Sequence, residues 1–105
     1  MIPVLASAMS EKELSANVVD AALKLGWLCY HTYDSRKSAP GFPDLVLLRR
    51  DRLVFIELKT ERARTSPAQE EWLRGLASLH GDGRPECYLW RPADWLNETI
   101  MGVLR

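Results

Sequence analysis

Asp44 opens the apolar run Leu45-Val46-Leu47-Leu48, and the triplet Glu57-Leu58-Lys59 closes the run that begins at Phe55. Two carboxylates converging from neighbouring strands make a site for a hard divalent cation such as Mg²⁺ or Mn²⁺. Lys59 lies two residues beyond Glu57, so on a strand of period two both side chains leave one face, and the ammonium can reach whatever the ion binds. That set of groups suits phosphodiester hydrolysis. Asp44 and Glu57 are the expected direct ligands, and the main-chain carbonyl of Leu58 can add an oxygen between them. Lys59 would orient an attacking water or meet the negative charge that builds on phosphorus. A strand with one solvated face is the plainer account of the same residues. Phe55 opposes it, because it shares a face with Glu57 and Lys59, while Val54, Ile56 and Leu58 make the other face apolar as well.

The elements that must position these groups are legible from periodicity. Ser10 to Leu25 reads as an amphipathic helix with Leu14, Val18, Ala21, Ala22 and Leu25 on one stripe, stopped by Gly26. Ser10 and Glu13 form a capping box. At about 100° per residue, Glu11 falls within the apolar stripe and Glu13 well outside it. Glu13 is then the cap and Glu11 a candidate outer-shell metal ligand, set against the simpler view of Glu11 as a first-turn acid favoured by the helix dipole. Strands are expected over Trp27–Tyr33, Asp44–Arg49, Leu53–Lys59 and Glu86–Trp90, with Arg50-Asp51-Arg52 linking the second and third as a hairpin. A second helix starts at Ser66, with Pro67 at its first position. Leu73, Leu76, Ala77 and His80 are its expected inner face, and Gly81-Asp82-Gly83 its end. Gln69 fits two descriptions, a capping box with Ser66 and a polar group turned toward the site. A short helix is expected after Pro92, and residues 1–9 read as a loose N-terminal arm before a single domain over residues 10–105.

Asp44, Glu57 and Lys59, with Pro43 before the first acid, resemble the PD-(D/E)XK nuclease signature. The ordered set around them narrows the likeness: Ser10-Glu11-Lys12-Glu13-Leu14, Gly41-Phe42-Pro43-Asp44, Glu57-Leu58-Lys59-Thr60, Ser66-Pro67-Ala68-Gln69 and Trp90-Arg91-Pro92. Together these resemble a stand-alone VRR-NUC domain over roughly residues 10–95. The namesake Val-x-Arg-Arg motif is not intact, and Tyr88-Leu89-Trp90-Arg91 stands in its place. The resemblance implies an α/β (α+β) fold with a restriction-endonuclease-like core, a mixed β-sheet flanked by helices in the order αβββαβ. It implies Mg²⁺ or Mn²⁺ as cofactor, DNA as substrate, cleavage leaving a 5′-phosphate and a 3′-hydroxyl, and Asp44, Glu57, Lys59, Glu11 and Gln69 as the catalytic group. Stand-alone members are similar to Holliday-junction resolvases, which implies branched DNA and a two-fold homodimer with two sites.

Composition adds bounds. The chain has 105 residues, enough for one domain with an adequate core. Formal net charge is zero, so no global basic field draws in nucleic acid, which fits selection by shape better than strong duplex binding. Cations gather mid-chain, around the expected site, at Arg36, Lys37, Arg49, Arg50, Arg52, Lys59, Arg62 and Arg64. Arg36, Lys37, Arg62 and Arg64 are the candidate phosphate contacts, with His31 and Asp34 as weaker ones. Cys29 and Cys87 are too few for a zinc site or a disulfide framework, and reduced thiols in apolar surroundings are expected. No apolar run reaches the roughly 20 residues of a membrane span, and the apolar leader lacks the basic start and length of a signal peptide. An intracellular protein, cytoplasmic in a bacterial or phage-infected cell, is therefore expected; no small-molecule cofactor is expected either. Trp27, Trp72, Trp90 and Trp95 are expected in the core or at a subunit interface. The competing function is a non-catalytic nucleic-acid-binding module of a larger repair or replication complex. A restriction-type enzyme ranks below both, since no segment is spare for sequence reading.

Overall fold

The computed structural model describes residues 4–32 and 37–105. Its elements are α1 (Val4–Ala8), α2 (Glu11–Lys24), β1 (Leu28–His31), β2 (Leu45–Arg49), β3 (Arg52–Leu58), α3 (Pro67–Ala77), β4 (Glu86–Trp90), α4 (Pro92–Leu96) and α5 (Thr99–Leu104). The strands form one sheet in the order β1-β2-β3-β4, with β1, β2 and β3 antiparallel and β4 parallel to β3. A parallel neighbour demands a crossover, and α3 supplies it. The fold is therefore an α+β one with a mixed sheet and flanking helices, as the sequence implies.

One sheet face carries the core. Leu45, Leu47, Val54, Ile56, Leu58 and Trp90 point from it and pack on Leu14, Val18, Ala21 and Ala22 of α2 and on Ile100 and Leu104 of α5. Trp27 is buried with them, its indole N–H donating to the Leu104 carbonyl at 2.9 Å. Arg49 and Arg52 lie over the Trp27 ring, 4.4 and 5.0 Å from its centroid. Arg49 also donates to the carbonyls of Leu25 and Arg105, and Arg52 to that of Val103 and, through two nitrogens, to Glu86. Both arginines thus lock the C-terminal tail to the hairpin end of the sheet. That corrects the expectation that they gather at the site, since β2 and β3 carry them about 17 Å from Asp44 at ~3.4 Å per residue.

Several expected boundaries shift. Val4–Ala8, expected in a loose arm, form a one-turn helix whose Ala6 is fully buried, because the apolar segment finds α4 to pack on. The hairpin turn is Arg50-Asp51 alone, with Arg49 opposite Arg52 and Arg50 left-handed at φ 55°. The second helix ends at Ala77, where Ser78 caps it. It buries no residue fully; Leu73 and Leu76 are half-buried, while Ala77 and His80 are exposed. The cause is that α3 reaches the second sheet face mainly through rings: Phe42 meets Phe55 edge-on at 6.2 Å and Trp72 at 5.0 Å. Trp90 is buried and Trp95 half-buried, but Trp72 is 37% exposed. No helix among the described residues is long and apolar enough to cross a membrane.

Candidate active site

Register brings the two acids together. Leu45 pairs with Ile56, so the next step along the hairpin sets Asp44 across from Glu57, and residues directly opposite share a face. Beyond Leu45 the chain leaves the ladder, and the Asp44 carboxylate itself accepts the Leu58 N–H at 2.8 Å. The strand end is held from the other side by Thr32, whose amide donates to the Asp44 carbonyl at 2.9 Å.

Glu57 is 2% exposed, the buried charged residue of the described core. Its Oε1 accepts a hydrogen bond from Gln69 Nε2 at 3.2 Å, whereas Oε2 is buried with no hydrogen-bond partner. Burial, then the Asp44 carboxyl facing it, push the Glu57 carboxyl up to about 9, against an opposing pull from Lys59. Like charges facing each other across a strand pair are destabilising. A proton shared with Asp44 relieves the conflict, and so would a divalent cation.

The two descriptions of Gln69 turn out to be compatible. Its Oε1 accepts the Ser66 N–H at 2.8 Å while Ser66 Oγ accepts the Gln69 N–H at 3.2 Å, completing the box. With the amide oxygen occupied by the cap, the NH₂ must be the end that faces Glu57. The cap therefore orients the donor. Gly41 sets how close α3 comes: it is left-handed at φ +80°, and a Cβ there would sit 2.3 Å from the Ala68 carbonyl carbon and 2.6 Å from the Gln69 nitrogen.

Glu11 enters from the first turn of α2, next to the Ser10–Glu13 capping box that the sequence predicts. It is exposed rather than core-facing, at the mouth of a cavity of about 490 Å³ lined also by Lys12, Ser15, His31, Asp44 and Leu58. Partial burial and then Asp44 raise its carboxyl, and Lys59 lowers it, so Glu11, Asp44 and Lys59 lie within one electrostatic neighbourhood. Among the described residues no three His, Cys, Asp or Glu side chains close on one point. The arrangement is a contacting pair, Asp44 and Glu57, with Glu11 farther out. Leu58 borders the cavity although its side chain is buried, which leaves its main chain to face it.

Of the expected phosphate contacts, Arg62 and Arg64 are exposed on the loop after Lys59, and Lys37 is exposed beside a groove that includes Tyr30 and His31. Arg36 and Asp34 lie outside the described residues. Lys12 was missed by sequence reasoning. It adjoins Glu11 and lines the same cavity as Ser15, a helical i, i+3 relation that could have flagged it.

Over residues 3–86 the sequence matches the VRR-NUC domain family. The chain belongs to that family. The VRR-NUC assignment makes it a nuclease-type nucleic-acid-binding domain, in a class that generally uses divalent metals. Comparison with curated proteins and with solved structures returned no match.

The donor set fits such a cation. A buried carboxylate oxygen without a partner, beside a second carboxylate and a main-chain segment facing the same cavity, is the hard-oxygen environment that magnesium and manganese take.

Proposed function

We propose that this VRR-NUC domain is a Mg²⁺- or Mn²⁺-dependent DNA endonuclease that selects branched DNA, with four-way junctions as the preferred class. The observation that carries the reading is the buried Glu57 Oε2, left without a partner against Asp44 in a site that Lys59 overlooks. An uncompensated carboxylate there costs stability, and a metal-assisted reaction gives it a purpose.

Asp44 and Glu57 would hold the ion, with the Leu58 carbonyl contributing and Glu11 acting through a bound water. When bound, the ion neutralises charge on the phosphate and acidifies water. Gln69 keeps the Glu57 carboxylate turned toward Asp44 through its capped amide. Glu57 must release its proton before it can act as a ligand. Lys59 directly follows β3 and acts electrostatically on both Glu57 and Glu11, and it would supply positive charge for the attacking water or for the negative charge developing in the transition state. Lys37, Arg62 and Arg64, with Lys12, would flank the scissile strand by contacting phosphates. The Cys29 and Cys87 thiols, both free and shifted up by burial, suit a protein working inside the cell.

A two-fold homodimer completes the reading, because a symmetric junction requires two cuts. Its support is a bare apolar patch on the second sheet face, where Leu28 is 69% exposed, Tyr30 61% and Leu48 45%, and Leu28 stands opposite Leu48. Light scattering at micromolar concentration should give twice the chain mass, and Leu28→Asp should halve it; a monomeric wild type rejects the dimer.

The deciding assay incubates four-way, flap, duplex and single-stranded DNA with the protein in Mg²⁺, Mn²⁺ or EDTA. Lys59→Ala should abolish cutting and spare binding, and Asp44→Asn should impair both cutting and metal binding. Binding of branched DNA without cleavage in either metal would transfer the chain to the class of non-catalytic binding modules.

A further inference from the structure

The loop from Thr60 to Thr65 carries Arg62 and Arg64 from Lys59 to the cap of α3, and it is shaped by one side chain on a distant part of the chain. Arg91 Nη1 donates to the main-chain carbonyls of Thr60 and Ala63, each at 2.7 Å, and to that of Glu61 at 3.3 Å. The loop returns the tie: the Glu61 carboxylate accepts the Ala93 N–H at 2.9 Å, at the first turn of α4. Lys59 itself is anchored to the same junction, its amide donating to the Trp90 carbonyl at 3.1 Å, while the Arg91 amide donates to Asp94 at 2.8 Å.

Three carbonyls converging on one guanidinium nitrogen bend a short segment into an arc with its oxygens inward. The alternating side chains then turn outward: Arg62 and Arg64 are exposed, whereas Glu61, Ala63 and Arg91 are half-buried. We infer that Arg91 is a positioning residue for nucleic acid, holding the loop so that Arg62 and Arg64 face phosphates beside Lys59 while Arg91 itself stays off the DNA. The inference rests on the nuclease reading above and gives Arg91 a role in engaging substrate. Nη1 has two hydrogens, which the carbonyls of Thr60 and Ala63 take at 2.7 Å while that of Glu61 shares one at 3.3 Å. A lysine ammonium has hydrogens enough but sits on a shorter stem, so it restores the tie only in part.

The test is a double-mutant cycle on binding of labelled branched DNA in EDTA, where nothing is cut. Arg91→Met should weaken binding by ~10-fold and lower the salt slope by about 1 to 2, the loss of one or two phosphate contacts. In a background already carrying Arg62→Ala and Arg64→Ala, Arg91→Met should have no further effect. Hydrogen exchange at amides 60–65 should quicken, and Arg91→Lys should recover part of both. If Arg91→Met does not fold, Arg91→Lys carries the cycle, with a loss of ~3-fold confined to the background that retains Arg62 and Arg64. Equal losses in both backgrounds, or unchanged binding by a folded Arg91 variant, overturn the inference. A wild type that follows this pattern yet cuts no DNA in Mg²⁺ or Mn²⁺ removes the nuclease reading and leaves the role of Arg91 standing.

Discussion

Glu57 concentrates the electrostatic tension of this fold. In the metal-free fold its carboxyl keeps a proton up to about 9, displaced from 4.5 chiefly by burial and then by Asp44. The unfolded chain releases that proton near the ordinary value, so between these limits the folded state binds more protons than the unfolded one. Stability from this group is complete below about 4.5 and is lost as pH rises toward about 9. A bound cation must displace the proton, so its stabilisation grows across the same window. Thermal unfolding in EDTA and in Mn²⁺ should therefore diverge as pH climbs from about 6 to about 8.5. Glu57→Gln should raise stability in EDTA by about 1 to 2 kcal/mol near neutral pH, since it mimics the protonated acid, and should erase the response to Mn²⁺. Gln69 permits a finer cut. Gln69→Glu keeps an acceptor for the Ser66 amide but loses the donor to Glu57. The helix cap should survive, judged by an unchanged circular dichroism spectrum, while Mn²⁺ affinity falls by about 10- to 100-fold, as for other partners that orient a metal ligand.

At the scale of elements, the site depends on how closely the N-terminus of α3 approaches the Gly41 loop. Gly41→Ala combines a left-handed backbone with a Cβ driven into the Ala68 and Gln69 main chain. It should cost about 2 to 3 kcal/mol in chemical unfolding and remove cleavage, because the cap that aims Gln69 must move. Gly75→Ala is the control. It lies inside α3 with nothing within 4 Å of its would-be Cβ and should stabilise the domain by about 0.5 to 1 kcal/mol. The pair also marks what the sequence could convey. Pro40-Gly41 reads as a turn, and the capping boxes at Ser10 and Ser66 are readable because they are local patterns of fixed spacing. Asp44 facing Glu57 follows from hairpin parity, which is again local. The contact of Gly41 with α3, the loop clamp of Arg91 and the use of Arg49 and Arg52 to hold the tail are long-range, and no periodicity encodes them. The expected inner face of α3 is at most half-buried for a related reason. Apolar spacing shows which side of a helix is greasy, not how much sheet lies beneath it.

Over the whole molecule, zero net charge conceals an uneven assignment of cations. Arg49, Arg52 and Arg91 are committed to carbonyls, ring faces and Glu86 within the fold, and Lys24 pairs with Asp20 on the surface. Lys12 lines the cavity, Lys37 borders the groove that shares Val19 and His31 with it, and Arg62 and Arg64 are exposed on the loop after Lys59. A protein with few phosphate contacts shows a shallow dependence of affinity on salt, since each contact contributes about 0.9 to the slope on duplex DNA. Four contacts per protomer predict a slope of about −3.6 in log affinity against log salt for duplex arms. Lys12→Ala and Lys37→Ala should each reduce its size by about 1 and weaken binding alike on duplex and branched DNA, because phosphates carry no sequence. Preference for a branched substrate should survive both changes if it comes from how two sites are spaced, and should vanish in Leu28→Asp if that variant is monomeric. Competition binding of four-way junction against linear duplex, across salt, separates the two. A preference that follows the lysines and ignores the oligomeric state would place selectivity in local charge instead of in the geometry of the pair.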